Sequence, residues 1–293
     1  GIALSGKPRY IKQAKQLINT LNYPIQVIDY TTPTTPYSPG IARNFAVKHT
    51  SRNHLLFWDI DLLGSPQLYD AIPGHIQHIQ NKHNAFEMYP CLYLCQEYTK
   101  GFKGKSKADF DQAWADATNL KVNSIEHFAL ATSTILCNKQ HFLDIGAFDE
   151  DFIGHMGEDL ELLNRLAISY GKFPFEADHC ENWPSKVVSE LKGFRKHFIN
   201  YSVPHLEYKL FTAHLYHNTH IGSLYKKKNK KNLNLLLSKL RFSGIDSIQK
   251  KNENLLLSYL CTSPNLTPTK LQSFRRKTRK LFVNPILFFK DIN

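Results

Sequence analysis

The chain has 293 residues, with 37 Lys and Arg against 25 Asp and Glu, a formal net charge of +12 and a pI near 9.3. With 42% hydrophobic and 21% charged residues it lies near globular averages, which excludes a disordered, collagen-like or coiled-coil chain. The excess charge is local: residues 226–293 carry 16 Lys and Arg against 3 Asp and Glu, which leaves 21 against 22 in residues 1–225. A neutral body bears a basic tail, so the pI by itself does not argue for nucleic acid.

In chain order, Gly1-Ile2-Ala3-Leu4-Ser5-Gly6 predicts a short strand and glycine turn. Tyr10, Ile11, Ala14, Leu17, Ile18 and Leu21 follow at helical spacing, and Pro24 ends that helix. The run Ile25-Gln26-Val27-Ile28-Asp29 predicts a buried strand, and 31–39 a turn-rich loop with three prolines. A helix over 41–49 leads into the apolar strand Leu55-Leu56-Phe57-Trp58, which stops at Asp59. This alternation predicts an α/β domain with a mostly parallel sheet.

The middle carries weaker signals. Residues 66–80 predict a helix broken at Pro73-Gly74, 85–94 an extended segment, 100–107 a Gly/Lys loop, and 110–115 a short helix. The apolar stretch 128–136 suits a buried strand or a turn under a ligand. A helix over 159–170 ends where Gly171 can cap it. The five cysteines, Cys91, Cys95, Cys137, Cys180 and Cys261, form no CxxC pair, which favours reduced thiols over a disulfide framework or a zinc ribbon. No secretory signal and no apolar run of about 18 residues is evident.

Chemistry concentrates in a few segments. Asp59 and Asp61 follow an apolar strand with one spacer, at the strand end where open α/β folds bind ligands. If the chain turns there, both carboxylates can serve one metal and nucleotide site, although acids in such places also act as solvated loop residues or helix caps. Glu158 and Asp159 open a helix behind a glycine-rich loop, where a carboxylate can take a proton from a hydroxyl or simply complement the helix dipole.

The segments Gly40-Ile41-Ala42-Arg43-Asn44-Phe45-Ala46, Phe57-Trp58-Asp59-Ile60-Asp61 and Gly146 to Arg165, in this order, resemble family 2 glycosyltransferases with the GT-A fold. More narrowly they are similar to bacterial capsule-biosynthesis glycosyltransferases and to chondroitin- and hyaluronan-type polymerase modules. The resemblance implies a Rossmann-like, mostly parallel central sheet flanked by helices over residues 1–222, with 223–293 as a basic helical extension. It implies an inverting, metal-dependent transfer from a nucleotide-diphosphate sugar, UDP-type, to a glycan hydroxyl, with Mn²⁺ or Mg²⁺ as cofactor.

By the same resemblance, Asp159 is the catalytic base and Glu158 touches sugar. Asp61 is the direct metal ligand, with Asp59 beside it on metal and donor. Arg43 and Asn44 lie against the diphosphate. Asp29 ends its strand where family members place an acid near the uracil, but Asp29-Tyr30-Thr31-Thr32 departs from their Asp-Asp-Gly-Ser. A histidine beyond Gly-Glu-Asp completes the metal site. Within Thr212-Ala213-His214-Leu215-Tyr216-His217-Asn218-Thr219-His220, His217 matches best, then His214, then His220. Gly193-Phe194-Arg195-Lys196-His197-Phe198 also looks like a family segment, without an assigned role.

The tail combines Lys226-Lys227-Lys228-Asn229-Lys230-Lys231, leucine-rich stretches to 240 and over 255–260, the basic run 275–280, and a hydrophobic end. Two readings stay open for it: a peripheral anchor on the anionic inner face of the cytoplasmic membrane, or a solvated extension that packs on the body or on another capsule-assembly module. The expected partners are the nucleotide sugar and an oligo- or polysaccharide acceptor, with a cytoplasmic location and no nucleic acid. A nucleotidyltransferase on a similar fold needs a glycine-rich basic loop for a triphosphate, and Ser5-Gly6-Lys7-Pro8-Arg9 is a faint match. A nucleic-acid-binding protein rests on the pI alone.

Overall fold

The structure, a computed structural model, describes residues 2–4, 8–21, 25–119, 124–184, 190–218 and 225–241. Expectations that fall on residues 5–7, on His220, on Cys261 and on the tail beyond 241 lie outside the described residues. The first compact unit runs Gly1–Leu240, and the second, Arg241–Asn293, falls almost wholly outside them.

The first third alternates as the sequence predicts. β1 (Ile2–Leu4), α1 (Pro8–Thr20), β2 (Val27–Asp29), α2 (Pro39–His49) and β3 (His54–Phe57) follow one another, and β1 pairs parallel with β2. The chain continues through β4 (Leu62–Gly64), α3 (Pro66–Asn81), β5 (Phe86–Met88), β6 (Cys91–Leu94), α4 (Gln96–Gly101), α5 (Lys107–Thr118), β7 (Ile125–Ala129) and β8 (Ile135–Asn138). Then come α6 (Lys139–Asp144), α7 (Glu158–Tyr170), β9 (Asn182–Trp183), β10 (Lys192–Gly193), α8 (Phe194–Ile199), α9 (Val203–Glu207) and β11 (Thr212–His214). A last helix, α10, is described over 229–241.

The pairing is mixed. β3, β8 and β5 form one antiparallel sheet in that order, and β4, β11, β6 and β7 form another in which only β11 and β6 are parallel. Much of the antiparallel content comes from the middle of the chain, where strands of three to five residues are too short to show periodicity. The break expected at Pro73 does not occur. Pro73 and Gly74 both lie on the exposed face of α3, where water can take the carbonyl that the proline leaves without a donor. The helix expected over 110–115 begins earlier, at Lys107, because Ser106 and Asp109 close a reciprocal capping box.

Two apolar cores hold these layers. The larger one gathers β3, β5, β8, α7 and α8 around Phe57, Phe86, Ile135, Leu162 and Phe198, and it includes the fully buried Leu236 and Leu240 of α10. The smaller one lies between α5 and the β7–β6–β11 face, with Leu92, Leu94, Phe110 and Ala213. The cysteines at 91, 95, 137 and 180 are free thiols. Among the described residues no helix is long and apolar enough to cross a membrane.

Candidate active site

The apolar strand β3 releases the chain into a tight turn in which the Leu62 amide donates to the Asp59 carbonyl at 3.1 Å. Ile60 stands at the tip, 99% exposed, so the turn sends the two acids to different partners. Asp59 is held by charge: the Arg43 Nη2 atom lies 2.6 Å from its Oδ1, and the Ser133 hydroxyl donates to its Oδ2 at 2.7 Å. The same guanidinium reaches Glu158 Oε1 at 3.3 Å and lies over the Phe148 ring. Arg43 therefore sits between two acids. Burial works against its charge, but the Asp59 and Glu158 carboxylates outweigh that and raise its pKa.

Asp61 has a different setting. β11 runs antiparallel to β4 with His214 opposite Leu62, and the Leu215 amide donates to the Asp61 carbonyl at 3.0 Å. That register brings His214 Nε2 to 3.2 Å and His217 Nε2 to 2.9 Å from Asp61 Oδ2. One ligand atom from each of the three residues lies within 4.8 Å of the others. Burial works to raise the Asp61 pKa, yet the hydrogen bond and charge of His214, with help from His217, lower it. Among the described residues this is the grouping that could hold a metal ion, and its oxygen and two imidazole nitrogens fit a divalent first-row cation. Asp59 is not part of it.

The glycine-rich segment before α7 is a shaped support. Gly154, Met156 and Gly157 all take positive φ, of 88°, 80° and 108°. A Cβ on Gly157 would come within 2.7 Å of the Phe152 ring, so that position admits only glycine without a shift. α2 closes on the same loop: a Cβ on Gly40 would lie 3.3 Å from Phe148 and 3.5 Å from Glu158. The result places Glu158, 5% exposed, and the half-buried Asp159 at the first turn of α7. Burial and the adjacent Asp159 push the Glu158 pKa up, and Arg43 opposes them without prevailing. Its Oε2 has no hydrogen-bond partner among the described residues. Asp159 Oδ1 accepts the Leu160 amide at 2.8 Å.

Other residues singled out in the sequence have scaffold contacts. Asn44 is buried, donates to the Phe148 carbonyl at 2.8 Å and to Glu150 Oε1 at 2.9 Å, and accepts the Phe148 amide at 3.0 Å. Both ends of its amide are thus spent on the loop before α7. Arg165 donates to the Ile145 and Ala147 carbonyls and pairs with Glu161, which fixes the start of the same loop. Asp29 pairs with Lys15 at 2.6 Å and is 72% exposed. The structure brings Arg43, Asp59 and Glu158 into one group, and Asp61, His214 and His217 into another.

Ser133 touches Asp59 and carries no signal in the local sequence, while Arg195 bears on Asp159 from a segment that resembles the family without an assigned role. Ser133 lies in the turn between β7 and β8, the stretch that suits a turn under a ligand, but a lone serine says nothing of an aspartate 74 residues away. Arg195, from the family-like segment without a role, donates to Asn182 at 2.8 Å. Burial lowers its pKa while Asp159 pulls it up, so its charge bears on Asp159.

Residues 10–242 match the family model described as "Glycosyltransferase like family 2". A search of curated proteins returns no match.

Proposed function

The chain belongs to glycosyltransferase family 2, and from that premise we propose an inverting, metal-dependent transfer of a sugar from a UDP-type donor to a glycan hydroxyl in surface polysaccharide synthesis. The observation that carries the proposal is the pairing of a three-ligand group, Asp61, His214 and His217, with an acidic helix start at Glu158-Asp159. A divalent cation held by Asp61, His214 and His217 supplies positive charge for the diphosphate that departs. Two imidazole nitrogens and one carboxylate favour Mn²⁺ over Mg²⁺, which prefers oxygen ligands.

Asp159 takes the proton from the acceptor hydroxyl as that oxygen attacks the anomeric carbon. The backbone amide on its Oδ1 holds the carboxylate in place and leaves Oδ2 for the hydroxyl. Arg43 bridges Asp59 and Glu158 and fixes the Asp59 carboxylate, with Ser133 on its other oxygen. One base and one displacement give inversion, so the product is expected with the anomeric configuration opposite to that of the donor.

A panel of UDP-sugars hydrolysed with Mn²⁺ names the donor without an acceptor. With that donor, Asp159→Asn is expected to lose about 100-fold or more in transfer and to bind UDP as the unaltered chain does. Retained turnover refutes the base. The basic tail beyond 241 is proposed to rest on an anionic membrane, since α10 already spends Leu236 and Leu240 on the core. Equal pelleting with anionic liposomes by the full chain and by a chain ending at Leu240 would sink that anchor.

A further inference from the structure

One row of side chains crosses the four-stranded sheet beside the metal-ligand group. The register sets His214 of β11 opposite Tyr93 of β6, and Tyr93 opposite His127 of β7. Residues paired in this way share a face, and their neighbours take the other one. Leu92, Leu94, Ala213 and Phe128 accordingly pack into the core beneath α5, while His214, Tyr93 and His127 form the opposite face. There the rings stack. Tyr93 lies 4.1 Å from His127 with 19° between planes, and 4.4 Å from His214 with 21°.

We propose that Tyr93 is a further site residue: its ring sets the plane of the His214 imidazole, and its hydroxyl donates to an oxygen of the bound nucleotide sugar. An imidazole joined to the chain by two rotatable bonds can point Nε2 at Asp61 or away from it. The flat contact with Tyr93 restricts that choice, as outer contacts commonly do for metal-binding histidines. The other face of the Tyr93 ring is covered by His127 of β7.

The phenol stands on the same sheet face as His214, whose Nε2 lies 3.2 Å from Asp61 Oδ2. Among the described residues nothing accepts the phenol's hydrogen bond, and its oxygen is not sealed from solvent.

The inference rests on the glycosyltransferase reading, and two variants of the full chain separate the two. Tyr93→Leu removes ring and hydroxyl, and Tyr93→Phe removes the hydroxyl alone. Titration with Mn²⁺, followed by electron paramagnetic resonance, needs no turnover. Tyr93→Leu is expected to bind Mn²⁺ about tenfold more weakly, and Tyr93→Phe to restore the affinity of the unaltered chain. Tyr93→Phe is then expected to lose about three- to tenfold in kcat/KM for the donor. Equal Mn²⁺ affinity in Tyr93→Leu overturns the ring's role, and undiminished transfer by Tyr93→Phe overturns the hydroxyl's. An unaltered chain that takes up no Mn²⁺ overturns the metal reading as well, which distinguishes that failure from this one.

Discussion

Asp59 and Asp61 come from one short motif and end in opposite situations. Asp59 faces a buried permanent cation, Arg43, and a hydroxyl donor, Ser133. Asp61 faces two imidazoles, each with a ring nitrogen that can serve as a ligand to a cation. The first carboxylate is satisfied by the protein itself. The second is grouped with two imidazole nitrogens in an arrangement that could hold a metal ion. What separates them is a single turn, closed by the Leu62 amide on the Asp59 carbonyl, that puts Ile60 into solvent and turns the acids toward different partners. Sequence spacing makes the motif; the turn and the partners divide its labour.

The comparison breaks most readily at Asp61. Asp61→Asn is expected to weaken Mn²⁺ binding by more than about 100-fold, beyond the loss seen when an outer-shell partner is removed, and to abolish transfer with it. Asp59→Asn is expected to keep Mn²⁺ affinity within about tenfold, because Asp59 stands outside the three-ligand group. Calorimetric titration of both variants reads the difference. Equal losses would merge the two acids into one role.

Removal of the cation tests the other half. Arg43→Gln leaves Glu158 and Asp59 without their common partner, and breaking a buried pair costs about 3–5 kcal/mol. The low end applies, since the Asp59 side chain is 42% exposed and solvent screens it. A drop of about 3 kcal/mol in urea unfolding is therefore expected. Adding Glu158→Gln to Arg43→Gln should restore part of it above about pH 8, where the buried acid has lost its proton and needs a counter-charge. A double variant no more stable than Arg43→Gln would show that Asp59, rather than Glu158, depends on the arginine.

Much of this arrangement was open to a reading of the chain, and what was not has physical reasons. The run Leu55 to Trp58 ending at Asp59, and the glycines before Glu158, are local signals: apolar periodicity, strand termination and positive φ each leave a mark within a few residues. The sheet that brings Asp61, His214 and His217 together is not local. Leu62 meets His214 across about 150 residues, and no periodicity in either segment announces that ladder. Tyr93 and Ser133 carry no local mark for the same reason, since a tyrosine in a four-residue strand looks like any β-forming residue until its neighbours are known. Asn44 illustrates the converse. Its motif was plain, but only the fold shows its amide engaged by Phe148 and Glu150.

The smallest effect is the pH dependence that distinguishes the two groups. Burial raises the Glu158 pKa from 4.5, so between that value and the higher one the folded chain holds a proton that the unfolded chain releases. Stability must then fall as pH rises through that window. Asp61 behaves in the opposite sense. Its histidine contacts lower its pKa from 3.8, so its contribution is present at and above the ordinary value and is lost only as pH falls through the depressed one. Glu158→Gln keeps a proton-bearing side chain of the same shape at every pH. It is expected to flatten the decline in urea midpoint between about pH 5 and about pH 8 while leaving the acid limb, to which Asp61 contributes, in place. A decline as steep in Glu158→Gln as in the unaltered chain would mean that Arg43 outweighs burial at Glu158, and that both groups hold their carboxylates charged.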